Sequence, residues 1–162
     1  MAKTNLYVSF HYQNDSARVQ QVLNMGVVEG QQIVTAQRWE QVKARGDKAI
    51  ENWIDVEMKG KSALLVLVGT HTAKRRWVRH EIVKAWNAGM PVVGVRIHNL
   101  KDLSSTTSVA GPNPFDINMS DGVNKLSKFI DLHNPAGATS QAVHATIASN
   151  LASWVGNANR RN

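Results

Sequence analysis

One carboxylate, Glu81, stands among four basic side chains and between two tryptophans in the stretch RRWVRHEIVKAW, residues 75–86. Spacing gives it two readings. It is either a surface charge paired with Arg79, Lys84 or Arg76, of which Lys84 stands at the i, i+3 spacing that brings helix side chains together, or the working group of an active site. Val78, Ile82, Ala85, Trp86 and Gly89 form the apolar stripe of a helix, and Glu81 lies one residue off it, with Trp77 one turn before and Ala85 one turn after. That position predicts a half-buried carboxylate.

Other chemical signatures fail on their own requirements. GKS at 60–62 ends like a phosphate-binding loop, but the upstream glycine position is Asp55 and the motif precedes a strand. No G-x-G-x-x-G is present, which argues against an ordinary dinucleotide fold. HEIVK at 80–84 begins like a zinc-protease helix, yet Lys84 occupies the place of the second histidine. A phosphoacceptor receiver would need a carboxylate at the end of the third strand, where Val68, Gly69 and Thr70 stand. The six histidines show no metal-ligand spacing; His11, His71 and His98 are singled out only by lying in loops after strands.

The elements that must position these residues alternate along the chain. NLYVSF (5–10) reads as a strand, HYQND as a loop, and Ser16–Met25 as a helix capped by Asn14, Asp15 or Ser16. QQIVTAQ (31–37) is a poor strand candidate, and Asp47–Met58 carries Ile50, Trp53, Ile54 and Met58 at helical spacing. SALLVLVG (62–69) is a continuous apolar run, the pattern of a central strand covered on both faces. A helix over Lys74–Ala88 closes at Gly89, VVGVRI (92–97) is the next buried strand, KFIDLH (128–133) the last strand, and Ser140–Val155 the last helix. Between Asn99 and Ser120 runs a long irregular stretch whose GPNPFD forbids a helix. This alternation predicts an α/β fold: five strands, mostly parallel, in flavodoxin-like order with helices on both faces. In such sheets ligands bind beyond the carboxyl ends of the strands, so the loops after Phe10, Gly69 and Ile97 are the places to search.

Composition bounds the rest. The 162 residues suit one domain, expected over residues 1–157 with a basic, frayed tail at 158–162. There is no cysteine, which excludes disulfides, thiolate zinc sites and cysteine nucleophiles. No apolar run approaches a membrane span and the N-terminal residues lack a secretory signal, so a cytoplasmic, non-membrane protein is expected. The net charge of +7 favours polyanions in general, but the basic residues are scattered apart from KRR at 74–76 and RR at 160–161.

Several longer motifs together carry a resemblance. VSFHYQND with Arg18 and Val19, WEQVK (39–43), LVLVGTHTAKRRWVRHEIVKAW (65–86) and GPNPFD (111–116) resemble the TIR-like family of bacterial Thoeris antiphage defence, its signal-producing subunit. The likeness runs in the same order and register from about residue 4 to residue 116 and thins beyond.

The resemblance implies a TIR fold and cleavage of the nicotinamide–ribose bond of NAD+, a substrate rather than a bound cofactor, with no metal. The family motif R-W-V-R-x-E maps the catalytic glutamate onto Glu81. It also implies a pocket taking Phe10, His11, Tyr12 and Asp15 from the loop after the first strand and Trp39 from the loop after the second, with Thr70 and Trp77 beside it. Tyr12 and Trp39 could stack on a ring, and Arg18 or Arg76 could pair with the pyrophosphate. The product implied is a cyclic ADP-ribose-type signal acting on a separate effector, with linear ADP-ribose or another ADP-ribose conjugate left open by the sequence, after a phage-derived trigger and through a homo-oligomer or filament. Core packing is the competing account of Trp53, Trp77 and Trp86, which lie on or near helix stripes. Two other functions stay open: a non-catalytic adaptor that self-associates, and a nucleic-acid or nucleotide sensor suggested by net charge alone.

Overall fold

A computed structural model of the chain describes residues 4–29 and 41–162. Five strands form one parallel sheet in the order β2-β1-β3-β4-β5, as the alternation of elements predicts. They are β1 (Thr4–Ser9), β2 (Val28–Glu29), β3 (Ala63–Val68), β4 (Val92–Arg96) and β5 (Leu132–His133). The long helices among the described residues are α1 (Tyr12–Leu23), α2 (Asp47–Met58), α3 (Arg76–Asn87) and α4 (Ser140–Gly156). The expected weak strand at 31–37 lies outside the described residues.

Strand β3 is buried along its whole length and pairs with β1 through Leu6↔Ala63 to Ser9↔Val66 and with β4 through Leu64↔Val92 to Val68↔Arg96. Its alternate side chains feed two cores. On one face Leu65 and Leu67 join Val19 and Val22 of α1 and Val143, Ile147 and Leu151 of α4. On the other, Leu64, Val66 and Val68 join Ile50 and Ile54 of α2 and Val78, Ile82, Ala85 and Trp86 of α3. The α3 stripe read from the sequence is therefore its buried face, and Gly89, at φ +78, closes the helix in the left-handed region.

Three details differ from expectation. Helix α1 starts at Tyr12, not at Ser16, and its first turn contains Asp15. The polar run read as a capping signal is drawn inward instead: Asp15 and Arg18 are both buried. The last strand shrinks to Leu132–His133, preceded by a short 3-10 turn at Leu126–Lys128, because Leu126 and Ile130 point into the α2–α3 core and Pro135 follows closely. The tail expected to fray is held at Asn159, whose carbonyl accepts from the Val92 N–H at 2.8 Å and whose side-chain amide donates to the Phe129 carbonyl at 2.9 Å.

The long stretch after β4 is anchored rather than loose. Phe115 is fully buried against β4 at Gly94, where a Cβ would lie 2.6 Å from the ring, so only glycine leaves room for it. Arg96 also donates to the Gly111 carbonyl at 2.6 Å. These contacts fold GPNPFD back against β4, with Gly111 beside Gly69 and Thr70 just past the end of β3.

Candidate active site

Strand β1 carries its side chains to alternate faces, so Tyr7 and Ser9 point together toward the side covered by α2 and α3. There they meet Glu81. Ser9 Oγ donates to Glu81 Oε1 at 2.9 Å, and the Tyr7 hydroxyl makes a second side-chain hydrogen bond to the same carboxylate. Glu81 is 8% exposed, more buried than its place beside the stripe predicts. Because Ser9 ends β1, the carboxylate lies at the carboxyl edge of the sheet, where ligands of parallel α/β folds bind.

The ion-pair account of Glu81 is not what the structure contains. Arg76 donates to Asp47 Oδ2 at 2.7 Å and Lys84 pairs with Asp55, while no cationic side chain among the described residues pairs with Glu81. Both donors to the carboxylate are neutral hydroxyls. Burial pushes the Glu81 carboxyl up to about 7, against the opposing pull of the Tyr7 and Ser9 hydrogen bonds. Burial also raises the Tyr7 hydroxyl far above its ordinary range, helped by the nearby Glu81 charge.

The other expected site residues divide into those near this edge and those engaged elsewhere. Phe10, His11 and Tyr12 follow Ser9 directly, all half-buried, with the Phe10 and Tyr12 rings 6.0 Å apart. His11 faces His71 edge-on at 6.4 Å, and burial, together with the Arg75 and His71 charges, lowers its proton affinity. Thr70, in the loop after β3, donates to the Val109 carbonyl at 2.5 Å and so ties that loop to the long stretch after β4. Trp39 lies outside the described residues.

Asp15 and Arg18 form a fully enclosed pair at 3.5 Å. The guanidinium also donates from Nε to the Leu100 carbonyl at 2.8 Å and from Nη2 to the Thr106 carbonyl at 3.1 Å, and stands 3.7 Å from Asp102. Arg18 is 2% exposed, so its donors hold the fold together instead of facing a pyrophosphate. Asp15 is equally inaccessible, its proton affinity raised by burial and lowered by Arg18. Its carboxylate packs on Gly69, where a Cβ would lie 2.3 Å from Oδ2.

Arg76 and Trp77 are also placed differently from expectation. The Arg76 guanidinium lies 4.5 Å from the Trp77 ring centre, and the two line an open groove of about 380 Å³ with Arg79, His80 and Glu51 that does not include Glu81. Trp77 packs partly into the α2–α3 core, as Trp53 does, and Trp86 is buried there, so the core account of these tryptophans stands. The residues missed from sequence are Tyr7 and Ser9. Period-two alternation along NLYVSF puts both hydroxyls on one strand face, but nothing in the sequence says which helix covers that face.

A five-stranded parallel α/β sheet of this order, with helices on both faces, is consistent with a TIR-like domain. The family model described as "Thoeris protein ThsB, TIR-like domain" matches residues 7–102. A curated relative from Bacillus cereus (strain MSX-D12), named "Putative cyclic ADP-D-ribose synthase ThsB1", is 37% identical over 121 residues. That match covers 72% of this chain and 62% of the relative, so the chain spans less than two thirds of the relative's length. The chain belongs to the ThsB family of Thoeris TIR-like proteins.

Proposed function

We propose that the protein cleaves the nicotinamide–ribose bond of NAD+ and converts the ADP-ribosyl part into a cyclic ADP-ribose-type signal for a partner effector. The observation that carries this reading is Glu81: a buried carboxylate at the carboxyl edge of the sheet, bound by neutral donors only among the described residues. The name of the Bacillus cereus relative points to the same class of product.

The chemistry needs only one acid. Nicotinamide departs from NAD+ as a neutral pyridine, so no group must protonate it, and the second carboxylate of ordinary glycosidases has no task. As the bond breaks, positive charge moves from the pyridinium ring onto the ribose. A carboxylate beside that ribose gains attraction as the charge arrives, which lowers the barrier selectively. Burial strengthens the effect because little water screens it. The ribosyl cation is then captured by water, giving ADP-ribose, or by a nucleophile of the same molecule, giving a cyclic isomer; a site that excludes water favours the second.

The half-buried rings of Phe10 and Tyr12 beside Ser9 are suited to stacking against a flat base, with His11 and Thr70 at the same edge. Signal, effector, phage-derived trigger and self-assembly together make up the proposed defence response. The test is to incubate the purified protein with NAD+, with and without lysate of phage-infected cells, and to identify the products by mass spectrometry. Nicotinamide and an ADP-ribose product are expected, and the Glu81→Gln variant should release at least about a hundredfold less nicotinamide. Undiminished turnover in that variant would remove Glu81 from the mechanism.

A further inference from the structure

The two donors to Glu81 come from one strand. Ser9 is 1% exposed and Tyr7 5%, and the tyrosine ring is enclosed by the α2–α3 core, so neither hydroxyl can swing away. Strand β1 is paired with the central strand β3 from Leu6 to Ser9, and with β2 at Thr4 and Asn5. The Ser9 bond fixes one oxygen of a carboxylate carried by a helix, and the Tyr7 hydroxyl acts on the same carboxylate from two residues earlier on the same strand face. Their neutrality matters as well. A lysine or arginine in their place would cancel the negative charge, whereas hydroxyls orient it and leave it available.

We propose that Tyr7 and Ser9 are positioning residues for the reaction, a two-hydroxyl clamp that holds the Glu81 carboxylate in the orientation from which it meets a cationic ribosyl group. This inference rests on the proposed NAD+ chemistry. Among the described residues Tyr7 is the titratable group that acts on Glu81, and Glu57 of α2 acts on Tyr7 from farther away.

Both hydrogen bonds favour the ionised carboxylate, so removing either donor makes Glu81 hold its proton to higher pH. Tyr7→Phe keeps the ring and loses the hydroxyl; Ser9→Ala loses only an oxygen. The experiment follows the Glu81 side-chain carboxyl carbon by NMR across pH in wild type and both variants, alongside the pH dependence of kcat/KM for NAD+ cleavage. Each substitution is expected to move the Glu81 midpoint upward by about one pH unit. Cleavage at pH 7 should fall by roughly 10-fold and recover only in part in alkaline buffer, because the charge returns while the orientation does not, with kcat changing more than KM. Full recovery would reduce the hydroxyls to tuning the proton affinity and overturn the positioning role. A purely structural role would lower activity at every pH and leave the midpoint in place, and that result overturns the inference. Should Tyr7→Phe fail to fold, the smaller Ser9→Ala change decides it on the same readings. If the midpoints move while wild-type protein releases no nicotinamide under any trigger, the clamp survives and the proposed reaction falls.

Discussion

Glu81 holds its proton more tightly in the folded chain than in the unfolded one, because burial raises its carboxyl from 4.5 to about 7. Between those two values the native state keeps a proton that the unfolded state has released. Its contribution to stability is therefore greatest below about pH 4.5 and is lost as pH rises through about 7, a loss on the order of 3 kcal/mol. Glutamine cannot ionise, so Glu81→Gln should melt above wild type at pH 8 and converge with it near pH 4.5, as thermal denaturation across pH would measure. An inactive variant that is also more stable would mark a residue kept for chemistry at the expense of the fold. That Glu81 was a candidate could be read from its distance off the α3 stripe. Its hydroxyl partners could not, because a contact across 72 positions depends on how helix and strand pack.

Arg18 works between elements. It lies on α1, yet two of its hydrogen bonds reach the carbonyls of Leu100 and Thr106, in the segment after β4. That segment is thereby fastened to the helix that starts beside Ser9 and Phe10. Arg18→Met should remove these ties and leave Asp15 buried without its cation, at a cost of about 3–5 kcal/mol in urea denaturation. The double variant with Asp15→Asn should recover part of the loss, since no unpaired charge then remains. Elements with strong apolar periodicity, β3 and α3 above all, were legible from sequence because burial on both faces or along one stripe leaves a pattern. The start of α1 was not. Asn14, Asp15 and Ser16 are ordinary capping residues, and only the enclosure of Asp15 with Arg18 shows why the helix starts a turn earlier, at Tyr12.

At the scale of the whole molecule, the same buried pairing that removes Arg18 from the surface leaves most other basic residues outside. The chain carries 19 lysines and arginines against 12 aspartates and glutamates, an excess of seven positive charges. Local pairs such as Arg76–Asp47 and Lys84–Asp55 neutralise some of them, so the remainder acts as a diffuse field. Such a field draws in a dinucleotide whose pyrophosphate makes it a net anion, but it does not set which bond is broken. The strand order was readable from alternation and the carboxyl edge that holds Glu81 followed from it, whereas a field of scattered charges has no motif to announce its use. Two outcomes separate steering from a dedicated nucleic-acid function. If the charge serves encounter, raising salt from about 20 mM to about 500 mM should lower kcat/KM for NAD+ several-fold with kcat nearly unchanged, because the screening length shrinks well below the size of the domain. The same charge, spread thinly, should give weak binding to a DNA duplex that disappears near physiological salt, measured by fluorescence anisotropy. Tight duplex binding that persists there would instead mean that the basic groups converge on one face, and would reopen nucleic acid as a partner.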